Sequence, residues 1–300
     1  MLVRNGCVGD WRLGDEDFMA SFRLPTQAEK RETLMEQHPF PREKRIVFDE
    51  APHTYTVDDT HVVPRSVTGV LHQFVNAFDA DVALAEMRAR DTWAWKQESY
   101  LTELGEVMSN DQIKEKWAHN GLVQRSRGTL LHYHVEQYLN GASIEEPRSP
   151  EFEQFLHLHE DVIAPNFTVY RTELSLFHVG LQVAGQADCL CLDADGSFAI
   201  WDWKRSKEIR MDSLRQMRAP LLHLPDSNYF HYALQLNLYR YMLESEYDLH
   251  VSRMLLGVVH PLRSSPLCLE IPRMDREVGL IVVDHEGNPS PCPGPDAPFA

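Results

Sequence analysis

The sequence predicts an α/β protein with a mixed central sheet flanked by helices and an N-terminal helical extension or cap. Three observations predict it. From residue 128 onward the order of periodic segments is helix, three strands, helix, strand. The 300 residues are 43% hydrophobic and 25% charged, a globular balance in a chain long enough to bury a sizeable core. No apolar run approaches the length of a membrane span, so the apolar residues are there to pack against one another.

Residues 1–45 are polar, mixed in charge and end in HPFPREKR, which reads as a poorly packed extension. Residues 46–124 read as a small β unit plus a helical cap. Segments 46–48, 54–57 and 61–63 are short strands separated by turn residues. Ser66 then N-caps a helix reaching Phe74. Residues 79–119 carry apolar positions at helical spacing, with Trp93, Trp95 and Trp117 as packing anchors. The core spans 125–284. It opens with a helix over 128–139, and a second follows over 151–163 after the break at Pro147 and Pro150. Strand-like runs cover 167–177, 182–192 and 197–203. A helix over 229–244 places Tyr232, Leu236, Tyr239 and Leu243 on one stripe. Strands follow at 251–259 and 267–271, then a helix or strand at 273–283. The proline-rich tail, 285–300, reads as disordered.

A formal net charge of −16 argues against indiscriminate binding to nucleic acid. The balance reverses locally, where Lys204, Arg205, Lys207, Arg210, Arg215 and Arg218 outnumber Asp202, Glu208 and Asp212. The five cysteines are irregularly spaced and form no Cys-x-x-Cys pair, which disfavours a zinc ribbon or a disulfide framework. Cys189 and Cys191 read as small apolar residues of a buried strand. The N-terminus lacks the apolar region of a secretory signal and carries several acids, so the expected location is intracellular, in cytoplasm or nucleus.

Residues 183–207 concentrate the chemistry. Asp188 heads one apolar strand, and Asp202-Trp203-Lys204 lies on the next. The turn Asp193-Ala194-Asp195-Gly196 between them contains an Asp-Gly step suited to positive φ in a tight hairpin. Folding there pairs 189–192 with 198–201 and brings Asp188 close to Asp202. Alternation along a strand puts Asp202 and Lys204 on one face. Two carboxylates and an ammonium converging at a strand end suit a divalent metal beside a phosphate. Alone, an Asp-x-Lys triplet on a strand end is usually a solvated ion pair.

Four further segments accompany it. RGTLLHYHVE, residues 127–136, puts His132 and Glu136 at i, i+4 on one helix face; His134 points elsewhere and reads as structural. Glu173 lies in YRTELSLF, Gln235 and Tyr239 are i, i+4 in QLNLY, and Ser66 lies in PRSVTGVL. No His-Glu-x-x-His occurs, so a zincin protease lacks its motif.

These motifs and their order resemble the PD-(D/E)xK nuclease superfamily, within it the RecB-like branch that includes mitochondrial genome maintenance exonucleases. The resemblance covers about residues 125–260, with alanine, Ala187, in place of the usual proline. It implies a restriction-endonuclease-like core and hydrolysis of DNA phosphodiester bonds, with Asp188, Asp202 and Lys204 catalytic. It implies Mg²⁺ or Mn²⁺ held by His132, Asp188, Asp202 and the Trp203 carbonyl, with Glu173 as a further or water-bridged ligand. Gln235, Tyr239, Arg127, Thr129, Arg205 and Ser66 are the implied substrate contacts. Glu136 is divided between an active-site role and a structural salt bridge. Some branch members hold an iron–sulfur cluster through one cysteine before the core and three after it; only Cys268 and Cys292 follow Tyr239, so no cluster is expected. The implied partners are DNA, single-stranded or with free ends, and replication or repair proteins, with no membrane. Single-strand exonuclease is the leading activity. A structure-specific endonuclease and an inert nuclease fold that only binds nucleic acid are the alternatives.

Overall fold

The computed structural model describes residues 2–3, 10–49, 52 and 54–287, so Cys7, Cys292 and most of the predicted tail lie outside the described residues. Two compact units are present. The larger comprises residues up to Asn76 and from Gly128 onward; the smaller is Ala77–Arg127. The boundary therefore falls inside the 46–124 segment that the sequence groups together, and its β strands belong to the larger unit.

The N-terminal segment contains β1 (Leu2–Val3), α1 (Asp15–Ser21) and α2 (Thr33–Gln37). Contrary to expectation it is well packed. Phe18 and Leu34 are buried. Leu34 N donates to Asn140 Oδ1 at 2.9 Å, and Arg31 N donates to Gln137 Oε1 at 2.8 Å. Strands β2 (Ile46–Asp49), β3 (Thr54–Val57) and β4 (His61–Val63) form the expected antiparallel sheet. It packs Ile46, Tyr55, Val57 and Val63 onto Phe177 and Ala184. After β5 (Arg65–Ser66) comes α3 (Val67–Leu71), shorter than predicted, whose first turn is capped by Ser66 Oγ accepting from Gly69 N at 3.0 Å.

In the smaller unit, α4 (Ala80–Ala89) and α5 (Trp93–Lys96) pack around Leu84, Met87 and Ile113, with Trp93 and Trp117 against them. Trp95 is not an anchor, because 64% of it is exposed. Next, α6 (Asn110–Leu139) is far longer than the 128–139 helix predicted. A Cβ at Gly128 would meet nothing, so that glycine marks no packing constraint and the helix continues through it.

From residue 140 on, β6 (Ser143–Ile144) pairs in parallel with β1. It is followed by α7 (Pro150–Leu158), a π-type turn over His159–Ile163, and α8 (Ala164–Asn166). The three predicted strands are β7 (Thr168–His178), β8 (Val183–Leu192) and β9 (Phe198–Arg205). A long connection leads to α9 (Asn228–Glu246), then β10 (Val251–Val259) and β11 (Leu267–Glu270). The ambiguous segment near 273–283 is helical, α10 (Asp275–Gly287), so the helix extends into residues read as tail.

The central sheet is mixed. β10 runs parallel to β9, and β11, β7 and the β8–β9 pair are antiparallel. α9 is buried on more than one stripe: Leu234, Leu236, Asn237, Leu238, Tyr239, Arg240 and Leu243 are all covered. Together with α3 it builds the main core over one face of the sheet through Leu174, Leu190, Ile200 and Leu256. Trp203 meets Phe155 of α7 edge to face and stacks on Trp201, so aromatic side chains fill the opposite face.

Candidate metal centre

The site forms where β8 loses a neighbour. β7 pairs along nearly the whole of β8. On the other edge β9 pairs only with Cys189–Leu192, in the predicted register, and β5 only with Val183 and Ala184. Between them a gap opens over Gly185 to Asp188. Asp188 therefore lies inside β8 rather than at its head, at the fork where β9 parts from it. The Asp188 carboxylate replaces the missing ladder bond, its Oδ2 accepting from Trp203 N at 2.7 Å. The hairpin that aligns these strands is looser than a two-residue turn. It connects over 193–197, and only Gly196 takes a positive φ, of 83°.

Glu173 is brought opposite Asp188 by the flanking pairs Thr172–Cys189 and Leu174–Ala187. Its φ is 47°, a left-handed strand residue that costs on the order of 1 kcal/mol. Its carbonyl accepts from Gln186 Nε2 at 3.0 Å. Like charges placed opposite one another across a sheet repel. His132 completes the group from the last three turns of α6. One ligand atom from each of His132, Glu173 and Asp188 lies within 4.8 Å of the others. This triad can hold a metal.

The histidine's tautomer follows from its contacts. Nε2 is 2.9 Å from the Trp203 carbonyl oxygen, which only accepts, so Nε2 carries a proton. Nδ1 then faces Asp188 Oδ2 at 3.6 Å. In the neutral ring two acceptors confront each other there, which a proton or a cation between them resolves. The Trp203 carbonyl, expected as a ligand, orients His132 through this bond.

Asp202 lies outside the tight triad. It is 1% exposed, and its Oδ1 accepts no hydrogen bond. Lys204 Nζ sits 2.7 Å from Oδ2 as an ion pair, on the same strand face as predicted. Burial drives the Asp202 carboxyl up to about 6; Lys204 pulls against it and Asp188 adds to it. Burial opposes the charge on Lys204, yet Asp202 and Asp188 outweigh it and hold the ammonium above its ordinary range. Lys204 also donates to Gln235 Oε1 at 3.2 Å and lies 4.9 Å from the Tyr232 ring centroid. Sequence reading had Tyr232 only as a packing residue; its i, i+3 spacing to Gln235 is the signal that places it at the site.

The expected substrate contacts divide. Gln235 reaches the site. Tyr239 is buried behind it, accepting from Gln235 Nε2 at 3.2 Å, so it positions Gln235 rather than meeting a polymer. Arg205 is committed to a buried ion pair, its Nε 2.8 Å from Glu151 Oε1. Ser66 Oγ serves as the cap of α3. Thr129 shares a helix face with His132 by its i, i+3 spacing and is half-buried, as is Arg127 at the end of the smaller unit. Glu136 is buried on α6 and is not part of the triad. His134 is structural as read, buried edge to face against Phe152, with burial lowering its imidazole to about 4.

No protein-family model and no curated protein matches the chain. Among solved structures, SSO0001 is 15% identical, with a TM-score of 0.26 over 57% of this chain and 66% of that one, just under two thirds of its length. A protein from Eubacterium rectale titled "Putative exonuclease" is 10% identical, with a TM-score of 0.28 over 74% of this chain and 77% of that one. At these scores neither likeness bears on the reading of the site. Among the described residues no helix is long and apolar enough to cross a membrane.

Proposed function

We propose that the protein is a metal-dependent nuclease that hydrolyses phosphodiester bonds of DNA, acting from strand ends. The observation that carries this reading is Asp202: a buried carboxylate whose Oδ2 meets only Lys204 and whose Oδ1 has no partner, beside a His132/Glu173/Asp188 triad. A scaffold gains nothing from desolvating acceptors it does not use. A divalent cation satisfies all of them at once, so the donor set fits the group. The carboxylates and the imidazole suit Mg²⁺ or Mn²⁺, with Asp188, Glu173 and His132 as holders and Asp202 at the edge of the sphere. Once bound, the ion supplies an activated water and polarises the phosphate.

The chain's own residues do the rest. The Trp203 carbonyl fixes the His132 tautomer. Lys204 presents a full positive charge, kept protonated by its carboxylate neighbours, to a phosphoryl oxygen as negative charge develops. Gln235, held by Tyr239, fixes the ammonium's position. DNA as the polymer and strand ends as the point of attack follow from the resemblance of the motifs to the RecB-like branch. Replication or repair proteins are the partners such an activity implies.

End-labelled linear DNA incubated with Mn²⁺ or Mg²⁺, and again with chelator, tests the proposal. Metal-dependent shortening from one end is expected, with a covalently closed single-stranded circle left intact. Rapid cutting of the circle would replace the exonuclease by an endonuclease. Equal cleavage by Asp202→Ala and Lys204→Ala variants would remove the site from the mechanism.

A further inference from the structure

Between Arg171–Leu190 and His178–Val183 the β7–β8 register omits a single pair, Glu173 with Asp188. Those two residues belong to the metal triad. At the same point the β7 backbone turns left-handed, with a Glu173 φ of 47°. A non-glycine residue keeps such a conformation only where its surroundings over-determine it. Extended backbone would return the Glu173 side chain to the ordinary alternation of the strand. The left-handed turn and the aim of the carboxylate are therefore one feature, and whatever holds the first sets the second.

Gln186 is placed to hold it. It pairs with Ser175, two residues from Glu173, and its side chain runs diagonally to the Glu173 carbonyl, Nε2 donating at 3.0 Å. A carbonyl oxygen only accepts, so the nitrogen end of the amide faces it. The bond thus supplies a donor at the one pair that the ladder omits. No third strand braces this point. β5 reaches only Val183 and Ala184 of β8, and β9 only Cys189–Leu192. Side-chain contacts must fix here what a continuous sheet fixes elsewhere.

We propose that Gln186 is a positioning residue of the metal centre: it locks the left-handed backbone of Glu173 and so aims that carboxylate toward His132 and Asp188. This rests on the metal reading above and adds a residue that acts through a ligand rather than as one. A glutamine that merely tied β7 to β8 would contribute to the fold and leave the Glu173 conformation unchanged on removal. One that aims Glu173 changes both the backbone angle and the affinity for the ion.

The test uses the full chain and two variants. Gln186→Met keeps the length of the side chain without a donor, and Gln186→Asn keeps an amide that falls one methylene short. Thermal melts in chelator show which variants are folded, and either one suffices. Mn²⁺ is titrated into each protein freed of chelator, with the free ion followed by electron paramagnetic resonance. Both variants should bind Mn²⁺ about tenfold more weakly than wild type, the lower end of the loss when a group orienting a metal ligand is removed. Crystal structures of the metal-free proteins should show Glu173 left-handed in wild type and at negative φ in the variants. Wild-type affinity in a folded variant overturns the positioning role and leaves the metal centre standing. Weakened binding with Glu173 still left-handed overturns it as well. A wild type that binds no Mn²⁺ removes the metal centre and the positioning role together. The expected pattern in a protein that cleaves no DNA keeps the positioning role and discards the nuclease reading.

Discussion

Two buried charge clusters of the larger unit differ in how completely they are satisfied. On β7, Arg171 is fully buried, and its Nη1 and Nη2 meet the two oxygens of Glu43 at 2.7 and 2.6 Å; Nη1 also donates to the His38 carbonyl at 3.2 Å. On β9, Asp202 is as deeply buried, yet Lys204 on Oδ2 is its one partner and Oδ1 has none. The first cluster matches both Glu43 oxygens, leaves only the Arg171 Nε–H donor without a partner, and staples the N-terminal segment to the sheet. The second has an acceptor left over, the buried Asp202 Oδ1. Buried charge by itself therefore marks no site. Unfilled acceptor capacity does, and here it coincides with a His132/Glu173/Asp188 group of metal-ligand type.

Substitutions at the two clusters should separate function from stability. Asp202→Asn or Lys204→Ala should lower cleavage of linear DNA by about 10³-fold, the scale for losing a group that stabilises transition-state charge. Thermal melts in chelator should show Asp202→Asn at least as stable as wild type above pH 6, because burying this carboxylate in its charged form costs more than Lys204 returns. Arg171→Met should do the reverse. It leaves Glu43 uncompensated and should cost about 3 kcal/mol in denaturant melts, while the folded fraction cleaves normally. If Arg171→Met abolishes cleavage in folded protein, the division between the clusters fails.

A smaller effect is a pH dependence of stability. The folded Asp202 carboxyl titrates at about 6, against 3.8 in an unexceptional setting. A raised value means its contribution is fully present below 3.8 and is lost as pH climbs through about 6. Melting temperatures in chelator should therefore fall over that interval in wild type relative to Asp202→Asn. Added Mn²⁺ should close the difference at the upper end, where the carboxylate is charged. Parallel curves for the two proteins in chelator would contradict the assignment.

Smallest is a packing effect behind the site. A Cβ on Gly185 would lie 2.7 Å from Tyr239 Cε1 and 3.0 Å from Val67 Cγ2. Gly185→Ala should cost about 2 kcal/mol. Because Tyr239 holds Gln235, it should also slow cleavage slightly, without shifting metal affinity.

The parts of the site legible in sequence are those set by short-range periodicity. The two-residue strand repeat put Asp202 and Lys204 on one face, and the i, i+4 helix repeat put Gln235 and Tyr239 together. The β8–β9 register was readable because a turn and two apolar runs determine it. What was not legible depends on long-range partners. Asp188 falls inside β8 because β5 and β7, distant in sequence, extend that strand before it. Arg205 was read as a phosphate contact because its partner, Glu151, belongs to another helix. Residues 1–45 looked unpacked because the groups that satisfy them, Gln137, Asn140 and Arg171, all lie beyond residue 130. The left-handed φ of Glu173 has no signature in a non-glycine residue.

The central claim is that the acceptors around Asp202 exist to hold a divalent cation. Mn²⁺ titrated into the chelator-treated protein, with the free ion followed by electron paramagnetic resonance, tests it most directly. Binding to wild type and to Arg171→Met is predicted, with strong loss of affinity in His132→Ala and Asp188→Asn. No binding to wild type, or equal binding to all four proteins, would contradict it.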